Sequence, residues 1–287
     1  MKNSNHVCDR SPGYDRLRWN RAGNSKDAAW EAELVRKFLT DRRLQSRRVP
    51  EGCCLGERYS GGDYLKANPT WDIEDSPWKA ELVAQILRRH GVEPGSLVEV
   101  DCGAGGALAA LRTFLLRTQL RGYDITADAA AFWPRHPGSD IDFRVGDFAT
   151  MDDHHYDTLL LLEVLEHISN PFDFLARLRG RADHYVFHVP LNLSAFSVLR
   201  ETPLLHVRHK VGHIHYFTKG LSVALLSECG YAVVEACYTG AAWSAPSREW
   251  QTALARLPRR LARLLLGQDR GVRLLGGDTL MVLARPA

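Results

Sequence analysis

No stretch of this 287-residue chain comes near the roughly 20 consecutive apolar residues that a bilayer-crossing helix needs. Nor does an apolar run follow the basic opening MKNSNHVCDR, so neither a membrane span nor a cleaved signal peptide is expected. The six cysteines, Cys8, Cys53, Cys54, Cys102, Cys229 and Cys237, show no CxxC pair and no regular spacing. Cys102, Cys229 and Cys237 stand in apolar or turn contexts that suit small buried side chains, and a reducing cytoplasm is the expected compartment. Excess charge is missing too. A formal net charge of +3 is too small, at this length, to imply a nucleic-acid or membrane partner. There is no internal repeat and no low-complexity tract.

What is present is the composition of an ordinary globule, 45% hydrophobic and 25% charged. The length allows one large core, or a core with a small accessory domain. Residues 1–25 are polar and expected to be poorly ordered in part. DAAWEAELVRKFL then sets Trp30, Leu34 and Phe38 at four-residue intervals, one apolar stripe on a helix. The following segment, broken by Pro50 and several glycines, reads as a linker or lid. In EDSPWKAELVAQILRRHG, Ser76 caps, Pro77 suits the first helical position and Gly91 follows the end. The division expected is therefore 1–75 as a partly disordered helical extension or lid, and 76–287 as the main domain.

Within that domain strands and helices alternate. SLVEVDC, LRGYDI, IDFRVGD, YDTLLLLEV, HYVFHVPL, YAVVEACYTG and DTLMVLAR read as strands. GALAALRTFLLRT, ADAAAFW, PFDFLARLRG and TKGLSVALLSECG read as helices between them, and an irregular basic-amphipathic segment runs to about Gly277. YDTLLLLEV is too apolar for a half-exposed strand and suits one buried on both faces. The expectation is a mostly parallel sheet covered by helices on both sides.

In such a sheet ligands sit beyond the carboxyl ends of the strands, where the strand order reverses. The turn DCGAGG after the first strand then faces the ligand, and Gly103 and Gly105 let backbone approach it closely. Asp124 ends the second strand 23 positions after Asp101, where an acidic residue can accept both ribose hydroxyls of a nucleoside. The dinucleotide fingerprint GxGxxG fails at Asp101 when read from that position and at Leu108 when read from Gly103, and a carboxylate facing a pyrophosphate would repel it. S-adenosylmethionine carries an ammonium and a sulfonium and no phosphate, so Asp101 favours that ligand. Asp147 can accept from an adenine amino group, with Phe148 against the base.

VEVDCGAGG, GYDI, GDF, YDTLLLLEVLEHISNP and HIHYFT..GLSVALLSECGY together resemble the class I S-adenosylmethionine-dependent methyltransferases over residues 76–287. The likeness is strongest to the bacterial small-molecule branch that includes ubiquinone-type O-methyltransferases. The resemblance implies a Rossmann-like α/β sheet of seven strands with helices on both faces. The last strand is antiparallel, inserted between the fifth and sixth, and an N-terminal helical cap covers the site. It also implies S-adenosylmethionine as methyl donor and S-adenosylhomocysteine as product. Glu99, Asp101, Gly103, Gly105, Asp124, Ile125, Asp147, Phe148 and Glu163 are the implied cofactor contacts. The family usually has glycine at position 101.

Methyl transfer is an in-line displacement from an activated sulfonium, so the protein supplies alignment and a way to deprotonate the nucleophile. The candidates are Glu163, Glu166 and His167, then His188, His213 and His215. On a helix after the fourth strand, positions 163, 166 and 167 would share one face, and His213 and His215 share one side of an extended segment. Small-RNA 2′-O-methyltransferases have a similar EVxEH that holds a divalent metal. A metal on Glu163, Glu166, His167 and His215 is thus an alternative. The favoured expectation is no metal, with His167 or His215 as base beside Glu166. Arg256, Arg259, Arg260, Arg263, Arg270 and Arg273 interleave with leucines at helical spacing, which usually marks a solvated face, with an anionic-substrate or membrane-surface contact as the minority reading. Trp71, Trp78, Tyr238, Trp243 and Trp250 flank the expected mouth, more often as packing than as a cage. The expected acceptor is a small molecule, methylated at oxygen. Methylation of RNA ribose and a degenerate, non-catalytic cofactor-binding protein stand as alternatives, and a homodimer is left open.

Overall fold

The structure is a computed structural model that describes residues 65–287 apart from 67, 72, 137, 139 and 242–249, with backbone alone over 250–256. The helix expected over 27–39, the lid around Pro50 and the side chains of Trp243, Trp250 and Arg256 lie outside these residues.

A short 3-10 turn, Ile73–Asp75, leads into α1 (Ser76–Arg89), which starts where Pro77 supplies a preset φ and no N–H to strand. β1 (Ser96–Val100), α2 (Gly106–Leu111), β2 (Gln119–Asp124) and α3 (Ala127–Ala130) follow. The expected helix ADAAAFW is cut short, because Pro134 falls in a separate 3-10 turn, Trp133–Arg135. Then come β3 (Ile141–Val145), α4 (Phe148–Met151), β4 (Tyr156–Leu162), α5 (Pro171–Leu178) and β5 (Ala182–Leu191). α6 (Ala195–Arg200) and α7 (Thr202–Lys210) occupy a stretch whose pattern showed neither, and a Ser194–Ser197 capping box opens α6. α8 (Lys219–Glu228), β6 (Tyr231–Tyr238), α9 (Trp250–Leu266), α10 (Gln268–Leu275) and β7 (Asp278–Pro286) complete the chain. The basic segment expected to be irregular is therefore two helices.

The seven strands form one sheet in the order β3-β2-β1-β4-β5-β7-β6. β1 pairs in parallel with β2 and β4, and β7 runs antiparallel between β5 and β6. This is the architecture the sequence implied. Alternation along the buried strands builds two cores. Leu160, Leu162, Val186, Met281 and Leu283 face one side, under Ile86 and Leu87 of α1 and Leu108 and Leu111 of α2. Leu159, Leu161, Phe187, Val282 and Ala284 face the other, with Leu175 and Leu178 of α5 and Leu225 and Leu226 of α8. Each fully buried leucine contributes about 1.5–3 kcal/mol relative to exposure. At Gly122 a Cβ would stand 2.8 Å from both Leu108 and Phe143, so its absence lets α2 close on the sheet.

One expected element is absent. EVLEH does not continue into a helix: Glu163 has φ +61°, Leu165–His167 form a turn, and α5 starts only at Pro171. Asn170 accepts from the Asp173 N–H and Pro171 takes the first helical position, so the helix signal sits after the motif.

Candidate active site

A cavity of about 390 Å³ opens beyond the carboxyl ends of β1, β2 and β4, at the point where the strand order reverses. Asp101 carries the chain out of β1 at φ +63°. Glycine favours this left-handed conformation, and aspartate adopts it more readily than most residues. The substitution therefore keeps the turn that a glycine would make. At Gly105, the residue before α2, φ is +75° and a Cβ would lie 2.5 Å from Phe143.

Asp124 is 3% exposed, and its carboxylate is fixed from two sides. The Gly103 N–H donates to Oδ2 and the Thr126 N–H to Oδ1, each at 2.8 Å. Asp101 hydrogen-bonds to Asp124, so two carboxyl groups meet in one pocket wall. Burial and the Asp124 charge push Asp101 up to about 8. Burial raises Asp124 as well, against its two backbone donors. The charge therefore rests on Asp124 and the proton on Asp101. This corrects the expectation that Asp101 presents a bare carboxylate to the ligand.

Glu99 is buried at the same wall, pushed to about 8 by burial against the partial relief of Lys79, and its Oε2 has no hydrogen-bond partner. Glu163 is held in the opposite state. Burial would raise it, but the Lys79 ammonium and then His188 outweigh burial and bring it to about 2. Lys79 Nζ pairs with Glu163 Oε2, and His188 Nδ1 lies 3.5 Å from Oε1. Burial lowers His188 to about 4, and its Nε2 meets the Thr279 hydroxyl at 2.6 Å. On the far side, Asp147 caps α4 by accepting from the Ala149 N–H, while Phe148 and the exposed Ile125 line the cavity.

The remaining wall carries imidazoles. The main-chain carbonyl of Glu166 accepts from the N–H groups of Ile214 and His215, which ties the 213–215 segment onto the EVLEH turn. This places His167 Nε2 4.0 Å and His213 Nε2 3.9 Å from Glu166 Oε1, with the rings 4.9 Å apart. Glu166 is 0% exposed and neither carboxyl oxygen has a hydrogen-bond partner. Burial and then the Glu163 charge raise it well above the carboxylate range. Burial and the neighbouring His167 lower His213 to about 4, and Asn192 Nδ2 lies 2.7 Å from its Nδ1.

A family model described as a methyltransferase domain matches residues 98–183. It spans β1 to the first residues of β5, the strands that build the cavity. Over these residues the chain carries a methyltransferase domain. The plantazolicin methyltransferase BpumL, solved with a substrate analog and S-adenosylhomocysteine, shares the fold at 16% identity and TM-score 0.53, over 81% of this chain and 93% of that one. Magnesium protoporphyrin IX methyltransferase from Synechocystis PCC 6803, with bound S-adenosylhomocysteine, gives 13%, 0.50, 89% and 100%. A methyltransferase of Haloferax volcanii, solved with its Trm112 activator, gives 19%, 0.53, 79% and 95%. No curated protein matches the sequence. None of these likenesses selects the ubiquinone-type branch.

The cavity suits S-adenosylmethionine, the cofactor expected from the sequence. The orphaned, buried Oε2 of Glu99 can meet a cation, and Asp124 keeps lone pairs for hydroxyl donors. Of the residues expected at the site, Glu99, Asp101, Gly103, Asp124, Ile125, Asp147, Phe148, Glu163 and His167 line the cavity. Gly105 stands beside it, and Glu166 lies behind His167. His215 does not line it: its Nε2 meets the Ile168 carbonyl at 2.9 Å. The metal set inferred from spacing also changes, because Glu163 belongs with Lys79. Glu166, His167 and His213 instead bring their ligand atoms within 4.8 Å of one another. One carboxylate and two imidazoles suit a borderline divalent ion. Lys79 and Asn192 went unread. Lys79 had a signal, four positions before the buried Val83 on α1, whereas Asn192 had none. Of the aromatics expected at the mouth, Trp71 lines the cavity, while Trp78 packs on His188 and Tyr238 bonds Asp269.

Proposed function

We propose that this methyltransferase transfers the methyl group of S-adenosylmethionine to an oxygen of a small-molecule acceptor, with His167 as the base. The supporting observation is that one cavity is lined by Asp124 at one end and by His167 and His213 at the other. Asp124 takes the ribose hydroxyls, Asp147 the adenine amino group and Glu99 the ammonium. The acceptor oxygen attacks the methyl carbon in line as the C–S bond breaks. The sulfonium leaves as neutral thioether, and the acceptor proton passes to the His167 imidazole. Glu166, kept protonated by burial, contributes no charge to this step, and His213 stays neutral. The segment 1–75 is read as an extension or lid preceding a catalytic domain of 76–287, and the compartment as cytoplasm. Among the described residues no helix is long and apolar enough to cross a membrane.

A screen of hydroxylated small molecules for S-adenosylhomocysteine release tests this reading. His167→Ala should reduce turnover of a positive acceptor by about 10²–10⁴-fold and leave S-adenosylhomocysteine affinity intact. Methylation at nitrogen or carbon, or an unaffected His167→Ala variant, would contradict it. The orphaned Glu166 carboxyl supports one second reading. A buried carboxylate without a partner takes up either a proton or a cation. In that case Glu166, His167 and His213 hold a divalent metal that polarises the acceptor oxygen, as RNA ribose methylation with a metal would use.

A further inference from the structure

An amphipathic surface helix normally turns its leucines inward and its arginines to water. α9 instead turns its leucines to water and buries one of its arginines. Leu257, Leu261, Leu264 and Leu265, spaced as one stripe, are 56%, 50%, 81% and 78% exposed. Arg263 is buried instead and pairs with the fully buried Asp278 at 2.9 Å. α10 fixes this orientation, since at Gly271 an added Cβ would stand 2.8 Å from the Arg263 Cα. Turning the leucines inward would pull Arg263 away from Asp278 and leave a buried carboxylate unpaired, which is strongly unfavourable. The exposed stripe is built in.

The apolar surface extends to neighbouring helices. Leu274 of α10 is exposed, as are Val198 and Leu199 of α6, which packs against α10. The same face is basic. Residues 257–275 hold five arginines and one acidic residue, Asp269, which accepts from the Tyr238 hydroxyl. Arg260, Arg270 and Arg273 are exposed there, with Arg200 at the end of α6.

We propose that this face docks on an anionic phospholipid surface. The leucines enter the boundary between headgroups and acyl chains, and the arginines meet lipid phosphates bidentately. Charge selects this occupant. A symmetric dimer through the same patch would bring two arginine-rich faces together, which like-charge repulsion opposes. A single interfacial helix gives reversible binding, consistent with a chain in which no described helix crosses a bilayer.

The test is co-sedimentation of the full chain with vesicles of phosphatidylcholine alone or mixed with phosphatidylglycerol, together with sedimentation velocity without vesicles. Binding should be about tenfold stronger on the anionic vesicles and should fall as salt rises. The double substitution L264S/L265S should lower vesicle binding about tenfold with S-adenosylhomocysteine affinity unchanged. R260Q/R273Q should remove the preference for anionic lipid. Absence of wild-type binding, or wild-type binding by L264S/L265S, would overturn the proposal. So would a dimer that L264S/L265S converts to monomer, since a second copy would then cover the face.

Discussion

Asp101 hydrogen-bonds Asp124 in the wall of the cavity, and the pair carries one negative charge rather than two. Like charges in contact at a buried site cannot both ionise cheaply. Asp124 keeps the charge because two backbone N–H groups donate to it. The residue that departs from the family glycine thus acts as a hydrogen-bond donor to the residue expected to hold the ribose.

A pH dependence follows. Burial and the Asp124 charge set Asp101 at about 8 in the folded chain, against about 3.9 for a free carboxyl. The folded state therefore binds this proton more tightly. The stability it contributes is fully present below pH 4 and is lost as pH rises through about 8. Asp101→Asn retains a donor and never ionises. Its melting temperature should match the wild type near pH 5 and exceed it by about 2–4 °C at pH 9. A gap that does not change with pH would show that Asp101 ionises as a free surface group does.

The chemistry of the imidazole wall separates proton from metal. If burial keeps Glu166 protonated, Glu166→Gln replaces one neutral group by another of equal size. Turnover should then fall less than about tenfold, and exhaustive chelation with EDTA should leave activity unchanged. A metal site predicts the opposite on both counts, with activity abolished by either treatment and recovered in the chelated wild type with magnesium or manganese.

Lys79 is expected to hold Glu163 ionised at the end of β4. Lys79→Met leaves that carboxylate beside the buried His188 without its cation. The Glu163 side chain is 31% exposed toward the cavity, so the loss should be about 1–2 kcal/mol, below the 3–5 kcal/mol of a fully buried pair. The stability Glu163 contributes is present above its free value near 4.3 and lost as pH falls toward 2. Denaturant titration at pH 7 and pH 3 measures this, and a Lys79→Met cost that is equal at both would refute the assignment.

The sheet was legible because period-two burial, apolar runs such as Thr158–Leu162 and strand-ending acids are local signals. So was one wall of the cavity, since Asp101, Gly103 and Asp124 are placed by strand ends alone. The base side was less so. Reading EVLEH as helix paired Glu163 with Glu166 and His167, whereas the left-handed Glu163 and the delayed start at Pro171 turn it toward Lys79 instead. His213 rather than His215 joins Glu166, because the Glu166 carbonyl accepts from both Ile214 and His215 and so fixes which ring faces in. That is a tertiary contact 47 or more residues apart, and no local pattern encodes it. The inverted α9 was unreadable for the same reason: spacing shows a leucine stripe but not which way it faces.

Calorimetric titration with S-adenosylhomocysteine and with NAD, on the wild type and on Asp124→Ala, tests the central claim most directly. The wild type should bind S-adenosylhomocysteine and not NAD. Asp124→Ala, still folded by circular dichroism, should bind at least about tenfold more weakly, about 1.4 kcal/mol. Binding of NAD by the wild type, or wild-type affinity for S-adenosylhomocysteine in Asp124→Ala, would contradict it.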